Sequence, residues 1–213
     1  DAQESRGLGD VYKRQVLPIP GSNLPSVIGW RTIDDTNKMI EIAQTKKRAV
    51  VIGGGLLGLE CARGLLDQGM EVTVLHLADW LMEMQLDRKA GEMLKADLEK
   101  QGMKIELQAN SKEIIGDKDV EAIKLADGRV IETDLVVMAV GIRPYTEVAK
   151  DSGLDVNRGI VVNDYMQTSD SHIYAVGECA EHDGKVYGLV APLYEQGKVL
   201  ADYLTGKETK GYK

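Results

Sequence analysis

Apolar and polar positions alternate in a way that divides the chain into short buried strands and amphipathic helices. The β-branched run Val50-Val51-Ile52 predicts a strand over 49–53. An apolar pattern of helical period then predicts a helix from about Leu56 to Gln68, ended by Gly69. Residues 71–76 read as a second buried strand, completing a βαβ unit. Next come a longer helix over 86–100 closed by Gly102, a third strand over 105–107, and a hairpin over 120–133 turning at Asp127-Gly128. Residues 135–140 are continuously apolar, the pattern of a strand buried on both faces, and end at Gly141. Earlier in the chain, residues 32–43 read as a helix. Thr32 and Asp35 have the spacing of a capping box, and Ile33, Met39, Ile40 and Ala43 are expected to share part of one face. Toward the C-terminus the pattern predicts a short helix at 147–151, strands at 160–162 and 173–176, and a helix over 192–204 closing near Gly206. Residues 1–15 carry no period and no core-like run, and the turn-rich segment from Val16 to Gly21 follows them.

The first strand and helix of the βαβ unit enclose Gly53-Gly54-Gly55-Leu56-Leu57-Gly58. This is a G-x-G-x-x-G turn in the strand–turn–helix context that gives the motif meaning. The first glycine permits the tight turn, and the second lets backbone approach a pyrophosphate. The third lets helix and strand pack closely, so that phosphates face the free N–H groups of the helix. The motif predicts dinucleotide binding; a glycine-rich turn that holds nothing is the alternative. A unit that prefers NAD ends its second strand, about 20 residues past the fingerprint, with an acid that holds the ribose 2′-OH. Here His76 stands at that place, Asp79 is the nearest carboxylate downstream, and Arg88 is the first arginine. The pattern leaves NADH against NADPH open, leaning to NADH. His76 either donates to ribose hydroxyls or caps the strand at the surface.

Composition narrows the field of partners. With 213 residues, 43% hydrophobic and 28% charged, the chain is an ordinary globular sequence of one large or two small domains. A formal net charge of −8 argues against nucleic acid or an anionic membrane as the main partner. No apolar run approaches the roughly 18 residues of a membrane helix, and no secretion signal is seen, so a cytoplasmic protein is expected. The two cysteines, Cys61 and Cys179, are far apart and form no C-x-x-C or zinc spacing, so neither a metal site nor a disulfide is expected. Cys61 reads as a small buried thiol. Lys46-Lys47-Arg48, the one basic cluster, reads as a solvated approach to the strand.

The stretches GGGLLGLE (53–60), VTVLHLADWLMEMQLD (72–87), DLVVMAVGIRP (134–144) and TSDSHIYAVGECAEH (168–182) together resemble the FAD- and NAD-dependent pyridine nucleotide-disulfide oxidoreductases. Within that family they resemble the large-subunit group of assimilatory NAD(P)H nitrite reductases and the related nitrate-reductase electron-transfer subunits. The resemblance runs from about Val16 to the C-terminus. It implies an α/β fold in which a Rossmann-like βαβ NAD-binding domain with a β-hairpin insertion, at about 46–144, is flanked by parts of a split FAD-binding domain. Residues 16–45 would be the exit and linker helix of that FAD domain and 145–213 its return, with 1–15 an extension unlike the family.

The implied cofactors are NAD(P)H and FAD. The implied activity passes hydride from nicotinamide to flavin and electrons on to a redox acceptor, which in a longer parent protein would be iron–sulfur and sirohaem centres that reduce nitrite. The resemblance implies cofactor binding by Gly53 to Gly58, with Leu56 where an aromatic gate often stands over the flavin. It places Glu60 close to the nicotinamide and Gly141 at a backbone turn beside the nucleotide. Gly177 and Glu178 stand where the family has Gly-Asp, whose acid hydrogen-bonds the flavin's ribityl chain. Cys179 is taken as packing, Arg143 as a hinge support or cofactor contact, and His172 and His182 as surface residues. No protein side chain is expected to act as a catalytic acid or base. The family's first FAD fingerprint and the iron–sulfur cysteine ligands have no counterpart here. The chain is therefore expected to be a middle portion that binds NADH, holds FAD weakly or not at all, and turns over little alone. A rubredoxin- or ferredoxin-type reductase and a non-catalytic nucleotide-binding module are the alternatives.

Overall fold

The structure, a computed structural model, describes residues 12–213; most of the stretch 1–15 set apart above lies outside them. Two compact units are present, one formed by Arg14–Gly141 and the other by Ile142–Lys213 with the described residues before Arg14.

The first unit holds, in chain order after β1 (Tyr12–Arg14), the elements β2 (Val27–Gly29), α1 (Ile33–Ala43), β3 (Arg48–Ile52), α2 (Leu56–Asp67), β4 (Glu71–Leu75), α3 (Arg88–Lys100), β5 (Lys104–Glu106), β6 (Ser111–Ile115), β7 (Ala122–Leu125), β8 (Val130–Glu132) and β9 (Leu135–Met138). A five-stranded sheet runs in the order β2-β9-β3-β4-β5, parallel throughout. Side chains of a strand point alternately to its two faces, so each strand feeds two cores. Ala49 and Val51 of β3 and Leu135 and Val137 of β9 pack with Met39, Cys61, Ala62 and Leu65 from the helices. Val50, Ile52, Val136 and Met138 face the other way, onto Ile114, Ile123 and Leu125 of the three-stranded antiparallel sheet β6-β7-β8. The parallel sheet thus lies between a helical layer and the hairpin sheet, which is why β9 is apolar at every position.

The capping box at α1 forms as the spacing predicts. The Asp35 N–H donates to Thr32 Oγ1 at 3.1 Å, and the Thr32 N–H donates to Asp35 Oδ2 at 2.8 Å. The face of the helix differs from the expectation. Met39 is buried with Ile42 and Ala43 packed beside it, while Ile33 is 79% exposed and Ile40 also points outward. At 100° per residue Ile33 and Ile40 fall on one line, roughly a quarter-turn or more from Met39, and the sheet covers the Met39 side. The basic cluster also departs from its reading. Arg48 is held by Asp134 through Nη2 at 2.9 Å and Nε at 3.2 Å, and pairs with Glu132 as well, joining the start of β3 to the approach to β9.

The second unit contains β10 (Ile142–Pro144), which pairs with β1, then α4 (Glu147–Asp151), β11 (Ile160–Val162), β12 (Ala180–His182), β13 (Lys185–Val186) and α5 (Val190–Leu204). β12 lies between β11, parallel to it, and β13, antiparallel. Val162, Met166, Ala175, Ala180 and Tyr212 form the core, with Val199 and Leu200 of α5 against it. The strand expected at 173–176 is a single bridge, Gln167 to Tyr174. The chain folds back tightly there, with the Ile173 N–H on Asp170 O and the Thr168 N–H on Ile173 O, so no ladder can extend. His182 is a second correction: it is buried in β12, with Nε2 2.8 Å from Asp164 Oδ1 and its ring edge-on to Tyr212. His172 is at the surface.

Candidate functional site

The turn between β3 and α2 contains three glycines and the first turn of α2 a fourth, Gly58, and the structure gives them different reasons to be glycine. Gly53 has φ +120°, and a Cβ there would lie 2.3 Å from the Ala139 carbonyl oxygen at the end of β9. A Cβ on Gly54 would fall 2.6 Å from a Leu81 methyl and 2.8 Å from the His76 ring. One on Gly58 would meet the Gly53 carbonyl oxygen at 1.9 Å, so this glycine lets α2 sit directly on the turn. At Gly55 an added Cβ meets nothing within 4 Å, and the backbone, at φ −90° and ψ −174°, suits any residue. The protein itself does not require a glycine at 55. What it leaves there is open space in front of the backbone.

Gly55 is also the N-cap of α2, and no side chain caps the helix. The first helical carbonyl bond is formed, from the Leu59 N–H to Gly55 O at 3.0 Å, and the N–H groups ahead of it have no partner within the helix. An uncapped helix start beside open backbone is the arrangement that receives a phosphate: the N–H groups donate, and the helix dipole favours negative charge. Leu56 and Leu57 in the first turn are about half exposed, and Glu60 is exposed, so all three are accessible at the mouth of the site. The residues present therefore fit a dinucleotide pyrophosphate, with Gly55 as its cradle.

His76 follows β4 and closes one side of the turn. It is 7% exposed, so it does not cap the strand at the surface. Its Nδ1 accepts the Gly54 N–H at 3.0 Å, and its Nε2 lies 2.9 Å from Glu83 Oε2. Glu83 and Leu81 were not singled out from the sequence. Leu81 meets Gly54 and Glu83 meets His76 through a turn in the chain, and no spacing rule marks either. Gly141 lies just past β9 in an exposed turn, with its carbonyl accepting the Gln15 N–H at 3.1 Å.

Gly177 and Glu178 belong to the other unit. Gly177 is buried with φ +99°, and its N–H donates to Oε1 of Gln196, a fully buried residue of α5, at 3.0 Å. Gln196 is another residue the sequence did not mark. Glu178 is half-buried at the next position. Cys179 is half-buried, with Sγ toward the Val176 carbonyl at 3.5 Å, and burial raises its pKa above the usual thiol range. Cys61 is buried against Met39, and burial pushes its thiol up to about 12, which leaves it inert. Among the described residues no cluster of side chains suits a metal ion, and no helix is long and apolar enough to cross a membrane.

Comparison with known proteins adds to this geometry. The family model described as pyridine nucleotide-disulphide oxidoreductase matches residues 11–197. A nitrite reductase [NAD(P)H] of Bacillus subtilis is 60% identical over 92% of this chain, which spans 24% of that protein. An assimilatory nitrate reductase electron transfer subunit of the same organism is 49% identical, again over 92% of the chain and 26% of the relative. Among solved structures, a ferredoxin reductase from Rhodopseudomonas palustris superposes with a TM-score of 0.88 at 30% identity, covering 95% of this chain and 52% of that one. The chain therefore spans about a quarter of the length of these two curated relatives.

Proposed function

The chain belongs to the pyridine nucleotide-disulphide oxidoreductase family, and from that premise we propose that its first unit binds NAD(P)H with the pyrophosphate seated on the Gly53–Gly58 turn. The observation that carries the reading is the contrast among the glycines. Gly53, Gly54 and Gly58 are required by packing, whereas Gly55 faces open space at an uncapped helix start. In this reading Leu56, Leu57 and Glu60 line the path toward the nicotinamide, and Gly141 supports the nucleotide from the end of β9.

The nucleotide domain in this reading is the first unit, which takes in β2 and α1 of residues 16–45 as well as 46–141, because β2 pairs with β9 and Met39 of α1 lies in the same core; residues 145–213 belong to the domain that carries FAD. There the buried left-handed turn at Gly177, braced by Gln196, presents Glu178 to the flavin's polyol chain. Bound flavin supplies a two-electron acceptor that can release electrons one at a time. The chain's own residues bind and orient the nicotinamide and exclude water; none is needed to move a proton.

In this reading the whole protein passes electrons from NAD(P)H through FAD to the iron–sulfur and sirohaem centres that the family resemblance implies; the relatives' names carry NAD(P)H, nitrite reduction and electron transfer. The similarity to a ferredoxin reductase favours a second reading, in which a separate small electron carrier is the acceptor. Calorimetric titration with NADH tests the core of the proposal. One-to-one binding is expected, and no heat up to millimolar nucleotide would contradict it. Supplying nitrite or a ferredoxin as acceptor to the full-length protein that contains this chain, loaded with FAD, with NADH oxidation followed optically, separates the two acceptor readings.

A further inference from the structure

The end of β4 is where a dinucleotide-binding unit holds an acid against the adenosine ribose, and this chain has an imidazole there. The ring is fully engaged by the protein. A backbone N–H can only donate, so Nδ1, which accepts from Gly54, carries no proton. The ring proton is then on Nε2, donated to the Glu83 carboxylate 2.9 Å away. The backbone of His76 is fixed as well, its N–H on Glu106 O and its C=O taking the Ala109 N–H, both at 2.9 Å.

The segment that returns Glu83 to this place is constrained. Met82 has φ +59°, a left-handed conformation that methionine seldom adopts, and its N–H donates to the Gly54 carbonyl at 3.1 Å. Leu81 packs where a Gly54 side chain would be. Gly54 is therefore tied both to the His76 ring and to the turn that delivers Glu83. The Glu83 side chain is 36% exposed, and its second oxygen, Oε1, has no protein partner among the described residues. The first arginine downstream, Arg88, is engaged by Asp79 and Glu92 and stacked on Trp80, so it offers no ready clamp for a phosphate.

We propose that Glu83, held in place by His76, is the carboxylate that reads the adenosine ribose, accepting hydrogen bonds from its hydroxyls and repelling a 2′-phosphate, so that the chain selects NADH over NADPH. The proposal rests on the nucleotide-binding reading above. His76 is a positioning residue in it: it orients the carboxylate and couples it to the phosphate-binding turn. A carboxylate accepts from a 2′-hydroxyl, whereas a 2′-phosphate presents like charge at the same point.

The test is a fluorescence titration of the chain with NADH and with NADPH, for the parent sequence and for Glu83→Gln, His76→Ala and the double variant. The parent is expected to bind NADH at least about tenfold more tightly than NADPH. The near-isosteric Glu83→Gln should bring that ratio to within about threefold, mainly by weakening NADH. His76→Ala should lower the ratio too, and the double variant should lower it no further than Glu83→Gln alone. A parent with no preference overturns the proposal, as does a Glu83→Gln variant that weakens both nucleotides equally and keeps the ratio, the result expected of a merely structural residue. A parent that binds neither nucleotide refutes the nucleotide-binding reading, and the proposal with it.

Discussion

Replacing Gly55 by alanine separates what the fold needs from what a ligand needs. The new methyl meets no protein atom within 4 Å, and the backbone angles there are ordinary. Two small effects on stability oppose one another. A Gly→Ala change at a compatible position stabilises by roughly 0.4–1 kcal/mol through the unfolded chain, and alanine is a poorer N-cap than glycine by about the same amount. The net is within about 0.5 kcal/mol of zero, a shift of about 2 °C or less for a chain of this size. Binding should respond quite differently. The methyl occupies the space in which phosphate oxygens would reach the helix N–H groups, and losing one charge-assisted hydrogen bond costs about 1.5–3 kcal/mol. That corresponds to about tenfold to a hundredfold in NADH affinity. Thermal melts and NADH fluorescence titrations of the parent and of Gly55→Ala are the assay. A variant that melts several degrees lower, or one that melts alike and binds NADH equally well, would refute the assignment of Gly55 as the pyrophosphate cradle.

Gly58→Ala should behave in the opposite sense, destabilising by about 2–3 kcal/mol because its methyl would overlap the Gly53 carbonyl, with a lower melting temperature even without nucleotide. Hydrogen bonds from Arg48 hold the Asp134 carboxyl at about 2, below its ordinary value. A depressed carboxyl stabilises the fold above about pH 4 and loses that contribution as pH falls through about 2. Asp134→Asn should therefore cost about 1 kcal/mol in urea unfolding at pH 7, a value reduced for partial solvent screening, and next to nothing near pH 2. Alkylation of the folded protein at pH 8 should label half-buried Cys179 well before Cys61, whose thiol burial pushes up to about 12; peptide mass mapping over time checks the order.

The parts of the fold that could be read from the sequence are those in which one local rule decides the outcome. The glycine turn, the capping box at Thr32 and the turn at Gly128 each depend on a few adjacent residues. The apolar run of β9 announces burial on both faces, because helices cover one side of it and the hairpin sheet the other. What escaped depends on distant partners. β12 is Ala-Glu-His, a polar triplet with no strand signature, and its buried Glu181 is satisfied by the Gly159 N–H at 2.8 Å, 22 residues away. The apolar 173–176 segment looks like a strand but is turned back on itself before a ladder can form. At the candidate site, the strand–turn–helix form of Gly53 to Gly58 was legible from glycine spacing and the apolar runs on either side. The engagement of His76 by Gly54 and Glu83 was not, since it requires Met82 to take a conformation that no propensity favours.

The most direct measurement is of where a nicotinamide nucleotide touches the chain. NADH titrated into isotopically labelled protein, with backbone amide shifts followed by NMR, should move Gly55, Leu56, Leu57 and Gly58 first and most, with smaller changes around His76 and Glu83. Saturable binding that leaves those amides in place, or no binding at all, would contradict the nucleotide-binding reading.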